Sequence, residues 1–127
     1  MKFSSAFKFG ATFVVACLLS LNSALANSYE QIKKDGVIRI ATEGVYSPFS
    51  FHNEKDELMG YDVEIARAVA KKLGVKPKFI EASWDAMLAA FDAGKADVVF
   101  NQVSITDERK KKYDYSVPYM LSYSAIV

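Results

Sequence analysis

Short apolar runs alternate with helical stretches along this chain, and that alternation constrains its fold more than any other feature. Val37–Thr42 reads as a buried strand, Lys78–Glu81 as a second and Val98–Phe100 as a third. Between the first two, from Gly60 to Leu73, the apolar residues Ile65, Ala66, Val69, Ala70 and Leu73 recur at helical spacing, and Gly74 supplies a stop. Between the second and third, Ser83 can cap a helix that runs to Asp92 and ends at Gly94. Strands separated by helices cannot be joined as hairpins. They pair in parallel, and the connecting helices cover the faces of the sheet. The fold class expected is therefore α/β, a mostly parallel sheet with helices on both faces. Smaller signals fill the gaps. Ser28-Tyr29-Glu30-Gln31 resembles a capping box for a short helix ending near Asp35-Gly36, and Phe49-Ser50-Phe51 suits a short strand. Asn53 to Glu57 reads as a polar turn, and Thr106 or Asp107 opens a further helix. There is no internal repeat and no low-complexity linker.

Residues 1–26 read as an export signal peptide. Lys2 and Lys8 make a basic start, and Phe9 to Leu21 is an apolar run too short to span a bilayer. Ala24-Leu25-Ala26 is an A-x-A cleavage site, which places the mature start at Asn27. Val14-Val15-Ala16-Cys17 also fits a lipoprotein box, but the apolar run continues through Leu18, Leu19 and Leu21, so anchoring through Cys17 is the weaker reading. Removing Lys2 and Lys8 turns the formal charge of +1 into −1 for residues 27–127. That balance gives no reason to expect binding to nucleic acid or an anionic membrane. Cys17 is the sole cysteine and His52 the sole histidine, so residues 27–127 hold no disulfide or thiolate cluster, and no metal or cofactor is expected. This segment can bury one modest core. Tyr123–Val127 reads as a strand with no following turn, so the lobe is expected to be incomplete and to continue.

The chemistry points to Asn101–Arg109. The third strand delivers amides, hydroxyls and one arginine to the mouth of the sheet, where open α/β folds bind ligands. Backbone N–H groups at a helix start favour an anion, and a guanidinium fork matches a carboxylate. The stretch reads as a seat for the α-carboxylate of a small ligand. Asp62 and Glu64, two apart at a helix start, suit the helix dipole and a cap rather than paired-carboxylate catalysis. Lys110–Lys112 reads as a solvated face, and His52 as a surface loop residue.

Gly60-Tyr61-Asp62-Val63-Glu64-Ile65, Ser83-Trp84-Asp85, Gly94-Lys95-Ala96-Asp97, Asn101–Arg109 and Ser116-Val117-Pro118-Tyr119 follow one another in an order that resembles bacterial family 3 extracellular solute-binding proteins. These are the periplasmic amino-acid receptors of ABC importers. The run Asn101 to Tyr113 is most similar to the cystine-binding members. The resemblance implies the type II periplasmic-binding-protein fold, two lobes joined by a hinge. Residues 27–127 would form the first lobe, truncated near the crossover, with the second missing. It implies a binding protein and not an enzyme, with a polar amino acid, L-cystine first, as ligand and an inner-membrane ABC permease as partner. The full-length protein would be a periplasmic monomer.

The resemblance also implies roles for residues. Glu43 and Tyr46 lie where members place an acidic group and an aromatic ring, and Phe51 and Trp84 where they wall the pocket. Gln102 and Ser104 match positions that contact ligand, and Arg109 matches the arginine that grips the α-carboxylate. Many members carry aspartate in place of Glu43 and small residues in place of Asn101 and Gln102. The same module also occurs in periplasmic dehydratases acting on prephenate-like acids, in lytic transglycosylases and in sensor kinases, which stand as alternatives. Without a second lobe, residues 27–127 are expected to be marginally stable, prone to associate and weak in ligand binding.

Overall fold

The computed structural model describes residues 29–123 and residue 125. The signal-peptide reading and Ser28 lie outside them. The elements in chain order are α1 (Tyr29–Asp35), β1 (Val37–Thr42), β2 (Val45–Tyr46), β3 (Ser50–His52), β4 (Leu58–Met59), α2 (Tyr61–Leu73), β5 (Lys76–Glu81), α3 (Trp84–Asp92), β6 (Val98–Val99) and α4 (Asp107–Lys110).

Three strands form a parallel sheet in the order β5-β1-β6. Val37 to Thr42 pair in register with Lys76 to Glu81, and Ile40 and Ala41 pair with Val98 and Val99. Side chains alternate along these strands, which sorts the core into two layers. Ile38 and Ile40 pack with Ala66, Ala70 and Val75 on the α2 side, joined by Phe79, Val98 and Phe100. Ala41 packs with Met87 and Ala96 on the α3 side, joined by Ile80, Trp84, Leu88 and Val99. One helix thus covers each face, as the strand–helix alternation requires. Asp97 pins the register of β6. Its carboxylate accepts from the backbone N–H, Nε and Nη2 of Arg39 at 2.7, 3.1 and 2.6 Å, and its own N–H donates to the Arg39 carbonyl.

The chain runs from β1 to β5 on one side, then back across to β6 on the other. β1 and β6 therefore flank the point where the strand order reverses, and open α/β sheets bind ligands at such a point, beyond the carboxyl ends of their strands. The sequence also builds a second, antiparallel sheet, β2-β3-β4, which the alternation did not announce beyond the short run at Phe49–Phe51. Its turn uses Asn53, whose Oδ1 accepts from the N–H groups of Lys55 and Glu57, with Asp56 at a φ of 60°. Gly60 joins this sheet to α2 at a φ of 125°, and a Cβ there would fall on the Phe49 carbonyl.

Several local expectations need correction. The buried face of α2 is Asp62, Val63, Ala66 and Ala70, whereas Val69 is 38% exposed, so the stripe is rotated from the one read in the sequence. Ser83 stands at the N-cap of α3 but its side chain makes no capping hydrogen bond. Thr106 does cap α4, its Oγ1 accepting from the Arg109 N–H at 3.2 Å. Tyr123 and Ala125 lie in no strand, and Tyr123 is 89% exposed. Lys110–Lys112 is exposed, as read in the sequence, and Lys112 Nζ also donates to Asp92 at 2.5 Å.

Candidate functional site

The carboxyl ends of the three parallel strands place Glu43, Trp84 and the Asn101–Ser104 turn around one mouth. Asn101 organises its floor. It is 2% exposed, and its Oδ1 accepts from the Thr42 hydroxyl at 3.2 Å and the Glu43 N–H at 3.0 Å. Its Nδ2 donates to Glu43 Oε2 at 2.6 Å. A buried amide with acceptor and donor both engaged sews the end of β1 to the end of β6 and aims the Glu43 carboxylate. Beside it, Gly44 donates to the buried Ser50 hydroxyl at 2.8 Å, tying the loop to β3. His52 is exposed, as read in the sequence, but ends β3 rather than lying in a loop, and it contacts the Gly44 carbonyl and Glu81 at 3.3 and 3.4 Å.

Arg109, Trp84 and Ser104 come together at the other side of the mouth. The Arg109 guanidinium lies 5.4 Å from the Trp84 ring centre, and its Nη1 donates to the Ser104 carbonyl at 3.1 Å. That distance is within cation–π range of the Trp84 ring, and a guanidinium pairs with a carboxylate through its planar N–H fork. Two hollows meet at Ser104. One, of about 120 Å³, is lined by residues including Gln102, Ser104, Pro118 and Tyr119; the other is an open depression bordered by Thr106, Arg109 and Tyr113. Glu43, Trp84, Tyr46 and Phe51 line neither. Tyr46 is 41% exposed with its ring 5.0 Å from Phe49, and half-buried Phe51 sits between Val45 and Met59 in the antiparallel sheet.

Gln102 is the unexpected member. Its φ of 52° is in the left-handed region that non-glycine residues rarely occupy. Its side chain turns inward, and Nε2 donates to Asp62 Oδ1 at 2.5 Å. The Tyr119 hydroxyl donates to the same oxygen at 3.0 Å. Burial pushes the Asp62 carboxyl above the usual carboxylate range, although the bonds from Gln102 and Tyr119 oppose that rise. Burial first, and then Asp62, also raise the Tyr119 hydroxyl above the usual phenol range. Reading Asp62 as a helix-dipole acid missed this arrangement. Spacing could have revealed it, because Asp62, Ala66 and Ala70 are four apart and share the buried face. Glu43 and Asn101 are not independent, since Asn101 Nδ2 donates to the Glu43 carboxylate, whereas Gln102 pairs separately with Asp62 Oδ1.

Among the described residues no group of three His, Cys, Asp or Glu could hold a metal ion, and no helix is long and apolar enough to cross a membrane. Comparison with known proteins adds an independent line. The sequence model of Bacterial extracellular solute-binding proteins, family 3, matches residues 38–127. The L-cystine-binding protein TcyJ of Escherichia coli is 48% identical over 92 residues, covering 72% of this chain and 35% of that protein. Cyclohexadienyl dehydratase of Pseudomonas aeruginosa is 34% identical over 110 residues, covering 84% of this chain and 41% of that protein. The chain spans well under half the length of these curated relatives. Among solved structures, the unliganded open L-cystine solute receptor of Neisseria gonorrhoeae superposes with a TM-score of 0.68 at 46% identity, over 72% of this chain and 40% of that one. The Phe57Trp mutant of the arginine-bound form of domain 1 from TmArgBP superposes with a TM-score of 0.71 at 32% identity, over 73% of this chain and 72% of that one.

Proposed function

The chain belongs to the bacterial extracellular solute-binding proteins of family 3, and from that premise we propose that it supplies the carboxylate-gripping lobe of a periplasmic amino-acid receptor that serves an ABC importer. L-cystine is the ligand the reading favours, with another polar amino acid next. The observation that carries it is the Arg109 guanidinium, stacked on Trp84 and hydrogen-bonded to the Ser104 carbonyl at the mouth of the sheet. An α-carboxylate pairs with that fork by charge-assisted hydrogen bonds. Trp84 covers apolar ligand surface, and the Glu43 carboxylate, aimed by Asn101, suits an ammonium group. A second lobe would close over the ligand by a hinge motion, exclude water and present the closed form to an inner-membrane permease. Water exclusion matters because ionic contacts strengthen as the local dielectric falls.

The similarity to TcyJ and to the N. gonorrhoeae receptor supports cystine. The dehydratase relative supports a second reading, in which the same mouth holds the carboxylate of a prephenate-like acid for elimination. A thermal-shift screen of the purified protein against cystine, arginine, histidine, glutamate and glutamine separates these outcomes. Cystine should give the largest rise in melting temperature. A clear win for a basic or acidic amino acid would overturn the cystine assignment. Turnover of prephenate with no amino-acid response would overturn the receptor assignment.

A further inference from the structure

Asp62 is a fully buried acid, with 0% exposure, in the first turn of α2. A carboxylate that only serves the helix dipole does so from the surface, and burial would cost it solvation for no gain. Asp62 instead touches two separate parts of the mouth. Its Oδ1 accepts from Gln102, which lies on the turn beyond β6, and from Tyr119, which lies on the irregular segment after α4. Tyr119 is held there from both sides. Its carbonyl accepts from the Tyr61 hydroxyl at 2.9 Å, and its ring packs 5.8 Å from Phe100 and 6.1 Å from Tyr61. Asp62 itself is anchored by its backbone N–H to the Phe49 carbonyl at 2.9 Å. Asp62 Oδ2 is buried with no hydrogen-bond partner among the described residues.

We propose that Asp62 is a positioning residue of the ligand site, joining the strained Gln102 backbone and the Tyr119 segment into one unit whose hold on the ligand depends on the charge of its carboxylate. The ligand half of this rests on the amino-acid-binding reading; the coupling itself does not. A left-handed conformation at glutamine persists only where the surroundings over-determine it, and Asp62 supplies that constraint through the side chain. Gln102 precedes the Val103-Ser104 stretch whose carbonyl holds Arg109, so loosening Gln102 loosens the guanidinium fork. Bonds to a carboxylate are about twice as strong as bonds to a neutral carbonyl oxygen, so protonation weakens both at once. The titratable groups facing Asp62 are Tyr119 and, through it, Tyr61. Glu64 and Arg67 of the same helix pair with each other on the exposed side, and the turn between β2 and β3 presents the Phe49 carbonyl to the Asp62 N–H. Burial moves the loss of charge above the range in which surface carboxylates titrate.

The test has one arm without ligand and one with it. In ¹⁵N NMR of the ligand-free protein, the Gln102 side-chain amide should shift with a midpoint above the usual carboxylate value, and this shift should vanish in Asp62→Asn. In calorimetry, L-cystine affinity should fall about fivefold as pH is lowered from neutrality to the ordinary carboxylate range, where the ligand's own α-groups keep their charges. Asp62→Asn keeps an amide oxygen to accept both bonds, so it should fold with a lower affinity that no longer varies over that range. Tyr119→Phe, which removes one donor, should weaken binding and shrink the pH effect. A folded Asp62→Asn protein with the parent's affinity and pH profile would overturn the proposal, as would a Gln102 amide that does not titrate in the parent protein. If Asp62→Asn fails to fold, the parent's Gln102 titration and the Tyr119→Phe profile decide. A titrating Gln102 amide in a protein that binds no amino acid supports the coupling and overturns the receptor reading.

Discussion

Asn101→Asp exchanges a single amide nitrogen for an oxygen where the ends of β1 and β6 meet. That nitrogen donates to Glu43 Oε2 at 2.6 Å, so the exchange turns a charge-assisted hydrogen bond into two carboxylates in contact. The lost bond is worth about 1.5–3 kcal/mol. Two unit charges at about 4 Å with an effective dielectric of about 20 repel by about 4 kcal/mol. The half-buried pair relieves part of this by holding one proton between them, so a net cost of about 3 kcal/mol is expected at neutral pH. The shared proton raises one folded-state pKa above its unfolded value. The penalty is therefore absent at pH values below the ordinary carboxylate range and appears as pH rises through the raised folded value. Urea unfolding of parent and variant should give nearly equal midpoints near pH 4 and separate by about 3 kcal/mol near pH 7, or roughly 12–24 °C in melting temperature for a domain of this size. A variant as stable as its parent at neutral pH, or an equal deficit at both pH values, would refute the reasoning.

Arg109→Ala should weaken amino-acid binding roughly ten- to a hundredfold in a folded protein, and Arg109→Lys should restore only part of it because the planar fork is gone, as read by calorimetry. Asp97→Ala should cost about 3 kcal/mol in urea unfolding, because it strips three donor groups of Arg39 of one buried acceptor. Asp62 should make the protein lose stability as pH rises from the ordinary carboxylate pKa through its raised folded value, since the folded chain keeps a proton that the unfolded chain releases. Asp62→Asn cannot ionise, and unfolding midpoints across that range should be correspondingly flatter.

The parallel sheet was legible because its signals are local and repeated. Apolar strands, helical periodicity and glycine stops all agree, and Gly74 takes the left-handed cap expected of it, with a φ of 70°. The antiparallel β2-β3-β4 sheet was mostly hidden because two of its strands are only two residues long, too short for alternation to register. Arg109 and Trp84 were legible as types suited to a carboxylate and an apolar surface, and the structure brings them together. Asn101 and Tyr119 were given no individual role and Asp62 was given to the helix dipole, since a buried polar group is defined by partners about 40 to 60 residues away in sequence, as the bonds Asn101–Glu43, Gln102–Asp62 and Tyr119–Asp62 are. Pattern reading assigns an acid at a helix start to the dipole by default, and only the rotation of the α2 stripe distinguishes a buried one.

The central claim is that an amino acid binds across the carboxyl ends of β1, β5 and β6 with its carboxylate on Arg109. Chemical-shift mapping with L-cystine tests it most directly, because NMR registers weak as well as tight binding. The account predicts that the Trp84 indole N–H, the Arg109 Nε–H and the backbone N–H groups of Glu43 and Ser104 shift together along one saturation curve, and that in Arg109→Ala the remaining three groups saturate only at roughly ten- to a hundredfold higher cystine concentration. Saturable shifts confined to the opposite, amino-terminal ends of the strands, or no response to cystine or any other amino acid from a folded protein, would contradict it.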